Sequence, residues 1–136
     1  MTITKQISDD QIRGLLCGAF EGGSNYWYDI VCTELAPGLT QSDFSEGGKM
    51  QLPDNYWHWA ELIPFVEGCS LIISDLEADS TDKKEYRLDR AALERGMQIM
   101  ADKYAHHFND FVSMNDDAIT ADVYLQCCIF GDVIYG

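Results

Sequence analysis

Val66 to Asp89 reads VEGCSLIISDLEADSTDKKEYRLD, and the two apolar ends of this stretch decide the fold. Val66 to Leu76 is a short aliphatic run, and Glu85 to Leu88 is a second, shorter one. Between them ADSTDKK (Ala78 to Lys84) offers nothing large and apolar to bury. Two apolar runs around a polar tip predict a β-hairpin over about 66–88. Asp89 then opens a segment in which Ala92, Leu93, Gly96, Met97, Ile99, Met100 and Tyr104 cover one broad face. That spacing predicts an amphipathic helix with an aspartate cap. Paired strands handing over to helices are the order of an α+β chain.

Working outward gives the rest. Toward the N-terminus, Ser8 followed by Asp9 and Asp10 is an N-cap with acids in the first turn. Ile12, Leu15, Leu16, Ala19 and Phe20 repeat at helical spacing until Gly22-Gly23. Tyr26 to Leu35 is aromatic and β-branched and reads as a strand, Gly38 to Pro53 as a loop. Tyr56 to Ile63 fits a short helix or a strand, closed by Pro64. Toward the C-terminus, His106 to Val112 reads as a short helix. Asp116 and Asp117 open a last one, with Ala118, Ala121, Val123, Tyr124, Leu125, Cys128 and Ile129 inside and Gly131 as its stop. The expectation is one α+β domain over 1–136, a short antiparallel sheet packed by an N-terminal helix and C-terminal helices.

The chain carries 23 acids against 9 bases, a net charge of −14. Residues 1–82 contribute −11, residues 83–103 are +2, and residues 104–136 are −5. Such a surface repels nucleic-acid phosphates and anionic membranes, and is steered instead toward a basic protein surface. No apolar stretch is long enough to span a bilayer. The opening MTITKQISDD lacks the basic and apolar regions of a signal peptide, so a cytoplasmic location is expected. The odd set Cys17, Cys32, Cys69, Cys127 and Cys128, each among apolar neighbours, reads as reduced, buried and uncoordinated thiols.

The usual catalytic patterns are missing. The sequence has no CxxC, HExxH, glycine-rich phosphate loop or GxSxG. His106 and His107 are adjacent, hence about 100° apart on a helix. Asp75, Glu77, Asp79 and Asp82 resemble the start of a calcium loop. Its sixth position would be Ser80 instead of Gly, and its twelfth Tyr86 instead of Glu. The reading is therefore a non-enzyme without metal or cofactor. The same acids, alternating along a strand, are expected to share a face about 6–7 Å apart and to form a negative ridge at the hairpin tip. Asn-Tyr-Trp occurs twice, at 25–27 and 55–57, and Tyr26, Trp27, Tyr56 and Trp57 are the aromatic anchor candidates. One copy is expected in the core and the other near a surface.

FEGGSNYWYDI (20–30), EYRLDRAALERGMQIMADKY (85–104) and NDDAITADVYLQCCIFGDVIYG (115–136) together resemble a family of small acidic proteins carried on bacteriophages and prophages. The resemblance implies no catalytic residues. It implies a context in which such proteins inhibit host defence complexes, as anti-CRISPR proteins do, some by mimicking DNA. The expected partner is a host protein or nucleoprotein complex with a basic groove, met without direct nucleic-acid binding, and a homodimer is compatible with this. Two rivals remain. One is a sponge for a nucleotide signal, using Lys83, Lys84, Arg87, Arg90 and Arg95 to receive the anion. The other is a phage structural or assembly component.

Overall fold

The computed structural model describes residues 7–51, 56–81 and 83–136. Helix α1 (Asp9–Gly18) starts on a reciprocal cap: the Gln11 N–H donates to Ser8 Oγ at 3.2 Å, and the Ser8 N–H to Gln11 Oε1 at 2.9 Å. It widens into a π-turn over Ala19–Gly23 and passes to strand β1 (Tyr28–Glu34). A 3₁₀ turn, Gln41–Phe44, inserts Phe44 into the core from the segment read as loop. The ambiguous aromatic segment resolves into the one-turn helix α2 (Trp59–Leu62). Strands β2 (Ser70–Asp75) and β3 (Glu85–Leu88) form the hairpin, followed by α3 (Arg90–Lys103), α4 (Ala105–Val112) and α5 (Ala118–Phe130).

The sheet is antiparallel throughout, in the order β1-β2-β3. Ile30 opposes Ile73 and Cys32 opposes Ile72, so Val31 is the extra residue of a bulge. Alternation sends Tyr28, Ile30, Leu71, Ile73, Tyr86 and Leu88 toward the helices. It sends Asp29, Glu34, Ser74, Glu85 and Arg87 to the opposite face.

Helix α5 runs through the centre. Thr120 to Ile129 are buried without a break, as expected of a helix apolar on all sides rather than along one stripe. Ala118, expected inside, is exposed at its start. Asp117 caps α5 by accepting the Thr120 N–H at 3.0 Å, and Gly131 ends it at φ 74°, a left-handed conformation that suits glycine. Helix α3 lies very close to α5: a Cβ on Gly96 would sit 2.8 Å from the Cα and N of Cys128. None of the helices is long and apolar enough to cross a membrane, among the described residues.

Candidate functional site

Asp75 does not belong to an exposed ridge with Glu77 and Asp79. Strand β2 ends at Asp75, which is only 4 % exposed. Its Oδ2 accepts the Tyr135 hydroxyl at 2.6 Å and its Oδ1 the Glu77 N–H at 3.0 Å. The chain therefore turns at Asp75 instead of continuing extended, and the alternation that placed Asp75, Glu77 and Asp79 on one face lapses. Asp75 is a structural cap, and its bond pushes the Tyr135 phenol up to about 12. Glu77 and Asp79 are exposed on the turn; Asp82 lies outside the described residues.

A different acidic surface replaces the ridge. Ser74 sits between Asp29 on β1 and Glu85 on β3, on the face turned away from the helices. Two strand spacings put those carboxylates roughly 10 Å apart. All four of Asp29, Glu77, Asp79 and Glu85 are exposed, and no described cation lies within ion-pair distance of any of them. Glu34, on the same face, is paired with Arg87 at 2.6 Å.

The first Asn-Tyr-Trp is not a core copy as a whole: Asn25 and Tyr26 are exposed and only Trp27 is buried. Trp27 is wholly buried, which removes it as a surface anchor. Its indole N–H donates to Asp122 Oδ1 at 2.7 Å, as does the Ser24 hydroxyl, also at 2.7 Å. The Tyr26 hydroxyl and Gln126 Nε2 donate to Asp122 Oδ2 at 2.6 and 3.0 Å. A buried carboxylate is tolerated because four donors replace its water. Burial and this carboxylate together push the Tyr26 phenol upward. Gln126 Oε1 in turn accepts the Ile134 and Tyr135 N–H groups, both at 2.9 Å, and so fastens the C-terminal segment to α5. Asp122 is not among the residues that the sequence pattern singles out. The missed signal is a polar pair, Asp122 and Gln126, four apart on an otherwise apolar helix.

The second copy holds its place through Gln51, whose side chain bonds both the N–H (3.0 Å) and the C=O (2.5 Å) of Trp57. Trp57 is half-buried against the core, and its indole N–H is buried without a partner among the described residues. The aromatic surface is thus carried by the two tyrosines, Tyr26 at 46 % and Tyr56 at 55 % exposure.

Two of the five residues of the basic island, Arg87 and Arg90, are paired within the chain, whereas Lys83, Lys84 and Arg95 have no described acid within ion-pair distance. Arg87 is bound to Glu34 and to Ser70 Oγ (2.8 Å). Arg90 grips both oxygens of Asp9, at 3.2 and 3.0 Å, and the Phe65 carbonyl at 2.8 Å. Arg87 and Arg90 line a cleft of about 630 Å³ beside Phe65 and Gly68, each already paired with an acid of this chain. Among the cysteines, Cys69, Cys127 and Cys128 are buried, Cys17 is half-buried, and Cys32, expected in the core, is exposed on β1; all are free thiols. No family model, curated protein or solved structure matches this chain.

Proposed function

We propose that the protein is a binding protein rather than an enzyme, and that its acidic sheet face and β2–β3 turn dock on a lysine- and arginine-lined surface of a partner protein. The observation that carries this is the set Asp29, Glu77, Asp79 and Glu85, exposed and without a described cation in reach, on a chain of net charge −14. Unpaired carboxylates on the sheet face and the adjoining turn keep their field for a partner, whereas the paired ones near Arg87 and Arg90 do not. Tyr26 and Tyr56 supply the exposed aromatic contacts. The resemblance to phage-borne acidic proteins supports a partner that is a host defence complex whose groove otherwise holds nucleic acid. The commitment of Arg87 and Arg90 to internal acids weighs against the nucleotide-sponge reading.

The test is capture from a bacterial lysate by the wild-type protein and by Asp29→Lys/Glu77→Lys/Asp79→Lys/Glu85→Lys. The partner should be lost from the quadruple variant, and duplex DNA or structured RNA should compete for it with the wild type. Retention of the partner by the reversed-charge protein, with loss on Tyr26→Ala or Tyr56→Ala, would move the interface to the tyrosines and refute the acidic reading.

A further inference from the structure

Away from the sheet, three side chains converge where α1 meets α2. Cys17 and Glu21 are four residues apart across the junction of α1 and the π-turn, so they share a face. Glu61 approaches from α2. Donor atoms of all three lie within 4.8 Å of one another. Helix α2 fixes Glu61 by a cap in which His58 Nδ1 accepts the Ala60 N–H at 3.2 Å while Glu61 Oε2 accepts the His58 N–H at 3.0 Å. Glu61 is 3 % exposed, and its other oxygen, Oε1, is buried without a hydrogen-bond partner.

Hydrogen bonding alone leaves this cluster unfinished. Two carboxylates and a sulfur offer many lone pairs and a single thiol proton, which Cys17 directs to Glu21 Oε2 at 2.7 Å. No described Lys or Arg pairs with Glu21 or Glu61. An unsatisfied buried carboxylate oxygen is expensive, and a small cation shared with Cys17 and Glu21 would satisfy it.

We propose that Cys17, Glu21 and Glu61 bind one divalent transition-metal ion of the zinc class, with water completing the coordination shell. The thiolate selects zinc, cobalt or a similar ion over magnesium and calcium, which prefer all-oxygen shells. In a tetrahedral shell with metal–sulfur near 2.3 Å and metal–oxygen near 2.0 Å, ligand atoms stand roughly 3.3–3.5 Å apart. The three donor atoms lie within 4.8 Å of one another, so binding requires them to close by up to roughly 1.5 Å. On binding, the metal–sulfur bond forms as the thiol gives its proton to solvent, with no change of oxidation state. A small cleft of about 180 Å³, lined by Phe20, Tyr28 and His58, opens onto Glu21 and Glu61 and gives water access to the remaining position. Spacing along the sequence does not bring this set together, because Glu61 comes from a separate helix.

Chelator-treated full-length protein titrated with Co²⁺ provides the test. One equivalent should produce a thiolate-to-cobalt charge-transfer band in the near ultraviolet, and Zn²⁺ should bleach it while excess Mg²⁺ does not. Cys17→Ser should abolish the band and Cys32→Ser should leave it intact. Glu61→Gln, which keeps an acceptor for the His58 N–H, should weaken Co²⁺ at least tenfold. The exposed Glu21→Gln gives a second weakened variant in a site that does not threaten folding. The proposal is overturned if the wild type shows no band, if Cys17→Ser retains it, or if Mg²⁺ displaces the cobalt.

Discussion

Asp122 is the residue on which most depends. Its two oxygens accept from Ser24, Tyr26, Trp27 and Gln126, and three of these donors come from a segment about a hundred residues away in the chain. Asp122→Ala would strand the Trp27 indole N–H and the Ser24 hydroxyl in a buried site. The loss should be about 3–5 kcal/mol, because several donors are left unsatisfied together. Tyr26→Phe removes one donor at the half-exposed rim and should cost about 1 kcal/mol. Urea denaturation followed by tryptophan emission measures both. Equal effects for the two substitutions would mean that Asp122 is not the centre of the network. At the same scale, the sequence exposed Asp75 and Asp122 as acids but not their surroundings. Each looks like a surface carboxylate until Tyr135, Trp27 and Gln126 are placed around it, and those partners are distant in the chain.

Among the elements, the hairpin, α3, α4 and α5 were legible because their signals are local: caps at Asp89 and Asp117, a stop at Gly131, and periodicity between. What stayed illegible was pairing between elements. The sheet gains its third strand from β1, and the acidic face at Asp29, Ser74 and Glu85 exists only through that register. Gly96 shows the same limit. In an isolated helix its replacement by alanine would be favourable by about 1 kcal/mol. Here the added Cβ would lie 2.3 Å from Cys128 Sγ and 2.8 Å from the backbone of α5, which cannot rotate away. Gly96→Ala should therefore destabilise by about 2–3 kcal/mol, since overpacking forces two central helices apart. An unchanged urea midpoint would show that α3 and α5 are further apart than described.

The molecule as a whole carries its charge as a single-sign field. Among the described residues, five ion pairs with Lys or Arg lie on α1, in the loop before α2, on the sheet, between α1 and α3, and between α3 and the C-terminal segment, few against the 23 acids of the sequence. Pairs on the surface contribute about 0–1 kcal/mol each, whereas repulsion among the unpaired carboxylates acts everywhere and opposes compactness. Salt shortens the Debye length from about 10 Å at 0.1 M to about 3 Å at 1 M, which reaches below the separation of Asp29 and Glu85 across the sheet. Screening should then remove more repulsion than attraction, so the melting temperature should rise with sodium chloride. Association with a basic partner has the opposite dependence, because the same screening removes the steering, and its on-rate should fall over the same range. Glu85→Lys separates the two effects in one protein. It trades repulsion across the sheet from Asp29 for repulsion from Arg87 on the same face, and should leave stability within about 0.5 kcal/mol, as for an ordinary surface substitution. It should nevertheless slow association and flatten the salt dependence of the on-rate. Calorimetry across a salt series and stopped-flow binding measure the pair. A melting temperature that falls steadily with salt would show that the surface is held by its ion pairs and has no unpaired field to offer a partner.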